Sequence, residues 1–386
     1  MAAHVDTVRR IAAQITRPAA VAVDRDARFP HETFAALRAE GLLSAAVPTE
    51  FGGLGGALPD IAEMCSALAA ACASTAMIFA MHQIQVFCLV RHGLELPYFR
   101  HFLADLARHQ WLLASGTSEV GTGGDLRSSI AAVEGDGDRF RLQKHCSVVS
   151  YGEHADALLL TARRSPQAAA GDQVLVLLTR ADCRFDHVGT WNTLGMRGTC
   201  SPAINVVAEA SSRQILPGAF RHIATRSMVP VSHVLWGAVW QGLASDAVAI
   251  ARAQIVKESR RLRGATPQGA AHLAQAARGL QVLRACVRDA TQELQCMSTS
   301  VDGGERLMSP AFAVRSNNVK LTTTELVAEI CRHGLSACGI QAYSNDSACT
   351  LTRHLRDALG AALMVSNDRI AASNATLMLL TLGDGD

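Results

Sequence analysis

The sequence lacks an excess of either charge. Its 36 Lys and Arg residues stand against 34 Asp and Glu, a formal net charge of +2 over 386 residues, and no run of five or more like charges forms a tail. So balanced a chain generates no long-range field, which argues against nucleic acid or an acidic membrane as its general partner; any anion it binds needs a local site. Unbroken apolar stretches are also missing. The opening MAAHVDTVRRIAAQ carries Arg and Asp where a signal peptide needs apolar residues, and no later segment reads as about 18 uncharged apolar residues in a row. A cytoplasmic protein with no membrane association is the expectation. Paired cysteines are absent too: none of the eleven forms a CxxC, and Cys65, Cys72, Cys88 and Cys331 lie in Ala- and Leu-rich helical stretches. They read as small buried residues in a reducing compartment, not as disulfides or metal ligands. His145 and Cys146 are adjacent in a strand-like run, so they point to opposite faces and share no metal.

What is present is an ordered globular composition, 49% hydrophobic and 18% charged. From residue 1 to about 110, apolar positions recur at helical spacing, as at Phe34, Leu37 and Gly41 or at Ile61, Met64 and Leu68. Pro59 and Asp60 followed by Glu63 mark a helix start, with the helix running to about Ala73. Residues 111–220 change to short β-rich runs, among them WLLAS, RFRLQ, ALLLTAR, VLVLLT and AINVVAE. EGDGD (134–138) reads as a hairpin turn, and 163–173 as a longer exposed loop. No crossover helix separates these runs, so the sheet is expected to be antiparallel and not a dinucleotide-binding fold. In 221–386 helical periodicity returns over Val234–Arg263, Gly269–Met297, Ala311–Cys338 and Leu351 to the end, which suggests a four-helix bundle. The expected class is α+β multidomain, with an N-terminal helical domain (1–110), a barrel-like antiparallel β domain (111–220) and a C-terminal bundle (221–386).

Several segments, in order, resemble the acyl-CoA dehydrogenase family. FPHETFAALRAEGLLSAAVPTEFGGLGG (29–56) looks like that family's amphipathic helix followed by Pro-x-Glu-(Tyr/Phe)-Gly-Gly-x-Gly. ASGTSEVGTGGD (114–125) resembles its flavin-edge loop, with Val120 in place of the usual proline and Gly124 in place of a serine. KHCSVVSYGEHADALLLTAR (144–163) is similar to a strand that begins with lysine and ends in Ala-Asp, and LGMRGTCSP (194–202) to the Leu-Gly-Met-Arg-Gly segment, whose arginine is more often architectural than catalytic. Lys320 followed by 336–358 resembles the stretch ending in Arg-Asp-Ala, of which Gly339, Tyr343, Arg356, Asp357 and Ala358 survive.

The resemblance implies FAD as cofactor. Thr117 and Ser118 would contact the flavin pyrimidine edge, and Gly123 and Gly124 would let backbone approach the flavin. Ser150 would face flavin N5, although counting forward from Lys144 places that role on Val148. Gly339 would face the pyrophosphate of a neighbouring subunit's FAD. The implied reaction is α,β-dehydrogenation of an acyl-CoA or acyl-carrier thioester in fatty acid metabolism, with an electron-transfer flavoprotein as acceptor, in a homodimer or homotetramer.

One part is missing. That reaction needs a carboxylate to remove the α-proton. Relatives place a glutamate shortly after Arg-Asp-Ala, where this chain has Val365 or Ser366, or on the first bundle helix, where it has Ser232 and His233. Asp368 and His233 are the candidate bases, with a solvated Asp368–Arg369 pair the alternative for the first and a packed core side chain for the second. The absent glutamate opens a second reading, a monooxygenase of the same fold that uses reduced flavin and O2, with His82 and Ser147 or Ser150 as candidates.

Overall fold

The structure is a computed structural model describing residues 1–135 and 137–381; Asp136, in the expected EGDGD turn, lies outside the described residues. The chain opens with α1 (Ala2–Ile11) and α2 (Arg17–Arg25), joined without a break by a π turn at Ala12–Thr16. α3 (His31–Ala39), α4 (Leu58–Ala69), α5 (Ala73–His92) and α6 (Pro97–His109) follow. The start of α4 is set by local chemistry. Pro59 sits in the first turn, where its missing N–H costs nothing, and Asp60 accepts from the Ala57 N–H at 3.1 Å.

Six strands come next: β1 (Leu113–Gly116), β2 (Arg139–Cys146), β3 (Ala157–Arg163), β4 (Gln173–Thr179), β5 (Cys183–Val188) and β6 (Ala203–Ser211). They form two three-stranded sheets, ordered β1-β3-β4 and β2-β6-β5. β3 and β4 are apolar along their length and buried on both faces, whereas β2 alternates exposed and buried residues and so lies with one face to solvent. The antiparallel expectation holds for β3–β4, β2–β6 and β5–β6. It fails for β1, which runs parallel to β3 with Leu113 opposite Ala157. The excursion through β2 supplies the crossover that a parallel pair needs, so no helix is required between them.

The helices after the sheets are α7 (Phe220–Ile223), α8 (Val229–Arg261), α9 (Ala270–Thr299), α10 (Gly303–Arg306), α11 (Pro310–Cys338), α12 (Thr352–Leu359) and α13 (Asn367–Thr381). A π turn at Ala224–Met228 leads into α8. α11 packs on both α8 and α9, and α8 also packs on α4 and α5. The last expected helix is interrupted between α12 and α13, at the segment holding Val365 and Ser366. α5 is buried on nearly every face and forms the centre of the core. It and the Phe220–Arg261 stretch are long and apolar enough to cross a membrane by length and composition, though 89% and 67% of their apolar windows are buried within the protein. All eleven cysteines are free thiols.

Candidate active site between the 117–131 loop and the C-terminal helices

The chain leaving β1 forms a loop rooted by a buried ion pair. Glu119 accepts from Ser129 Oγ at 2.7 Å, from the Ile130 N–H at 3.0 Å and from the Ala131 N–H at 2.7 Å. Its Oε2 lies 3.6 Å from Lys144 Nζ, which also donates to the Thr161 carbonyl at 2.7 Å and its hydroxyl at 2.8 Å. Burial acts to raise Glu119, but these donors together hold it below the usual carboxylate range, while burial pushes Lys144 down. The pair ties the loop to β2 and β3.

At the start of this loop, Ser118 Oγ donates to the Val148 carbonyl at 2.7 Å and accepts from the Val148 N–H at 3.1 Å. That hydroxyl is therefore spent on the protein. The Thr117 hydroxyl and the N–H groups of Thr117 and Ser118 take no partner among the described residues. Val148, half exposed and two residues beyond the end of β2, is thus the residue beside Ser118. Ser150 turns elsewhere, accepting from Ser201 Oγ at 2.9 Å in a chain that continues to Thr199 at 2.8 Å. Gly121, Gly123 and Gly124 all have positive φ, a turn that side chains adopt only with strain. Arg369, in the first turn of α13, donates to the carbonyls of Gly123 and Gly124, at 2.5 Å for the latter. The expected solvated Asp368–Arg369 pair is therefore not formed: the arginine clamps the glycine loop.

The helical side brings together a second set. His233 is buried, and its Nδ1 donates to the Ser316 carbonyl at 2.9 Å. Nε2 is left as the free acceptor, with no partner among the described residues. Burial pushes this imidazole down to about 4, and the neighbouring Lys320 charge adds to the effect. Ser232 Oγ is spent on its own helix, donating to the Met228 carbonyl at 2.5 Å. Lys320 is 1% exposed; its Nζ donates to Asn367 Oδ1 at 2.5 Å, and Asn367 in turn donates to Thr324 Oγ1 at 3.1 Å. No carboxylate pairs with this ammonium among the described residues, and burial pushes it down to about 8.

Asn367 follows the two residues where relatives keep their glutamate. Val365 and Ser366 have φ of 55° and 20°, strained values for residues with side chains. Asp368 is exposed and partnerless among the described residues, one position round the helix from Asn367. The structure thus places His233 in the buried polar cluster and leaves Asp368 outside it. His82 is locked into the core: Nε2 donates to the Leu43 carbonyl at 2.6 Å and Nδ1 accepts from the Leu113 N–H at 3.0 Å. Both nitrogens are used, so its candidacy as a monooxygenase histidine is withdrawn. Ser147 makes no side-chain hydrogen bond among the described residues.

The remaining motif residues are structural here. Arg356 binds Asp24 and the Leu194 carbonyl, and Asp357 accepts from the Met196 N–H at 2.6 Å. Gly195 sits so close to the Arg356 carbonyl that a Cβ would collide with it. Arg197 donates to the Asp24 carbonyl at 2.7 Å and the Thr193 carbonyl at 2.9 Å. The LGMRG and RDA segments therefore dock on each other and on α2. Gly339, at the end of α11, is exposed with φ of 67° and open space around it. An open groove of about 680 Å³ lies elsewhere, between α1, α4, α8 and α9, and contains none of these residues.

Sequence reasoning gave no functional role to Lys320 or to the Glu119–Lys144 pair. A signal existed: the chain holds only three lysines among its 36 basic Lys and Arg residues. Two of the three, Lys144 and Lys320, are buried.

The architecture of helices, two small sheets and a helical bundle, with a glycine loop facing the bundle, defines an acyl-CoA dehydrogenase-like fold. Residues 2–133 match the model of the acyl-CoA dehydrogenase N-terminal domain. The probable acyl-CoA dehydrogenase fadE25 of Mycobacterium leprae is 27% identical over 193 residues, 50% of this chain and 49% of that protein. The probable FMNH2-dependent monooxygenase SfnC of Pseudomonas putida is 26% identical over 272 residues, 67% and 66% of the two chains. Among solved structures, FMN-bound TdsC from Paenibacillus sp. A11-2, a dibenzothiophene monooxygenase, superposes with a TM-score of 0.83 at 23% identity, covering 97% of this chain and 96% of that one. The N-terminal third of the chain thus matches the family's N-terminal domain, the whole chain shares the acyl-CoA dehydrogenase-like fold, and the proteins similar to it include both dehydrogenases and flavin monooxygenases. The matches span about half to two thirds of the length of these curated relatives.

Proposed function

We propose that this protein is a flavin-dependent oxidoreductase and, within that class, a monooxygenase that uses reduced flavin and O2. One observation carries the choice. At the site where a dehydrogenase needs a carboxylate base, the buried groups are an ammonium without a counter-ion among the described residues and an imidazole held neutral. An imidazole pushed to about 4 is a weak proton acceptor at neutral pH. Lys320 instead favours negative charge near the Val365–Asn367 turn, and His233 Nε2 offers an acceptor to a phenol or ring N–H. The relatives named for hydroxylation of resorcinol and oxygenation of dibenzothiophene support the same choice.

The residues present fit one end of a flavin. Thr117 and Ser118 offer N–H groups, Thr117 adds a free hydroxyl, and nothing lies within 4 Å of a Cβ built on Gly123, so a planar ring system can approach the backbone there. FAD is the expected form, with Gly339 the open position for its phosphate end. Arg356 and Asp357 are consumed by internal contacts and hold no part of it. When bound, the flavin supplies the redox chemistry. The protein's own residues shape the site: Glu119 and Lys144 fix the loop, Arg369 closes it against α13, and Lys320 and His233 orient the substrate. We place the protein in the cytoplasm as a homodimer or homotetramer, with the three domains bounded near residues 110 and 220.

The test supplies reduced flavin and isotopically labelled dioxygen to the purified protein, with indole and resorcinol as probes, and follows label in the products by mass spectrometry. Incorporation that falls at least tenfold in Lys320→Met supports the reading. Oxidation of a saturated thioester without label incorporation would overturn it.

A further inference from the structure

The C-terminal end of α5 and the π turn before α8 bury positive charge without a compensating carboxylate among the described residues. Arg91 donates to Ser298 Oγ at 2.8 Å and to the Arg226 carbonyl at 3.4 Å, and its guanidinium lies 5.4 Å from the centre of the Phe87 ring. His92 Nε2 is 2.8 Å from Ser227 Oγ. Arg226 Nε is buried and has no hydrogen-bond partner among the described residues, and Gly304 lies against this guanidinium. No carboxylate pairs with Arg91 or Arg226 among the described residues. Burial lowers Arg91, and the charges that act on His92 besides burial are all positive: Arg91, Arg226 and His222. Two guanidiniums partly withdrawn from water are costly unless an anion meets them. Arg17, Arg28 and Arg356, by contrast, meet Asp246, Glu32 and Asp24.

The place of this cluster matters. Arg226 stands in a π turn, a local widening that recurs at functional sites. It precedes His233 by seven residues, about two helical turns on the same face and on the order of 10 Å along the axis. α5 packs against this stretch throughout.

We propose that Arg91 and Arg226 form a binding site for an oxyanion group carried by the substrate. The substrate class is then an aromatic or heteroaromatic acid whose carboxylate, sulfonate or phosphate lies about two helical turns from its reacting end. The location of that reacting end rests on the function proposed above; the anion site does not. The two Nη groups of a planar guanidinium take two oxygens at once, which suits a carboxylate or sulfonate better than a halide.

The experiment titrates the full-length protein with sulfate, phosphate or acetate against chloride at equal ionic strength and follows the thermal midpoint. Saturable stabilisation by an oxyanion is expected in the wild type, at least tenfold weaker in Arg226→Gln and in Arg91→Gln and unchanged in Arg284→Gln, a control in the distant groove. Arg226→Lys keeps the charge and loses the fork, and should also weaken the effect, so a poorly folding glutamine variant does not end the test. Stabilisation of equal size in all variants would show a general salt effect and overturn the site. Indole-2-carboxylate is expected to compete with sulfate at least tenfold better than indole; equal competition would mean a free ion and would overturn the substrate assignment. None of these readings needs flavin or oxygen, so failure here and failure of the monooxygenase reading are separable.

Discussion

Replacing Lys320 by methionine should make the protein more stable and less active. The ammonium is buried against Asn367 with no counter-ion among the described residues, and burial lowers it from 10.5 to about 8. A shift of that size corresponds to roughly 3 kcal/mol of unfavourable burial of the charged form, at about 1.4 kcal/mol per unit. Methionine removes this cost and keeps most of the volume. Loss of the bond to Asn367 takes back on the order of 1 kcal/mol, leaving a net gain of roughly 2 kcal/mol at pH 7. The pH dependence separates this cause from simple repacking. A lysine with a depressed folded-state pKa is charged in both states below about 8, so the cost is fully present there. As pH rises from 8 towards 10.5 the folded protein loses the proton first, and wild-type stability rises relative to the variant. Urea denaturation across that window should show the gap between the two proteins closing. A methionine variant less stable than wild type at pH 7, with a gap that does not change with pH, would refute the reasoning.

Glu119→Gln should destabilise by roughly 2–4 kcal/mol, because Lys144 is left buried without its anionic partner, and should open the 117–131 loop to limited proteolysis. Glu119 is depressed in the fold, so its contribution is present above the ordinary glutamate range and lost as pH falls through the folded-state value; wild type and variant should converge in acid. Asp357 behaves oppositely. Burial raises it to about 6, so at pH 7 its charge opposes folding, and Asp357→Asn, which keeps an acceptor for the Met196 N–H, should stabilise by up to about 3 kcal/mol, an advantage that disappears below pH 4. Asp368→Asn should leave turnover unchanged, since this exposed carboxylate lies outside the buried cluster, whereas His233→Ala should reduce it at least tenfold. The wild-type rate should show no titration of His233 between pH 6 and 8, because that imidazole is already neutral there.

Most of the fold was legible because its signals are local. The periodicities read as Gly269–Met297 and Ala311–Cys338 became α9 and α11 with shifts of one or two residues, and the apolar runs ALLLTAR and VLVLLT became the doubly buried β3 and β4. The parallel pairing of β1 with β3 was not legible, since register between distant strands leaves no mark in either one. Nor was the break at 360–366: GAALMVS has helical composition, and the interruption reflects tertiary contacts, with Asn367 drawn to Lys320 and Arg369 to the glycine loop. The candidate site divides the same way. His233 stood out as a titratable group on an apolar helix and proved buried with one free nitrogen. Lys320 looked like a motif marker, because its lack of a counter-ion is a property of three separate helices. Arg356 and Arg197 carry the two docking motifs, and their contacts with Asp24 show why docking needs them in place.

The most direct test of the account is anaerobic mixing of the flavin-loaded protein with a saturated thioester such as butyryl-CoA, followed by visible flavin absorbance. A site without a carboxylate base predicts that the flavin stays oxidised on the timescale of turnover, in wild type and in Asp368→Asn alike. Rapid bleaching by the thioester, lost in Asp368→Asn or His233→Ala, would contradict it and return the protein to the dehydrogenases.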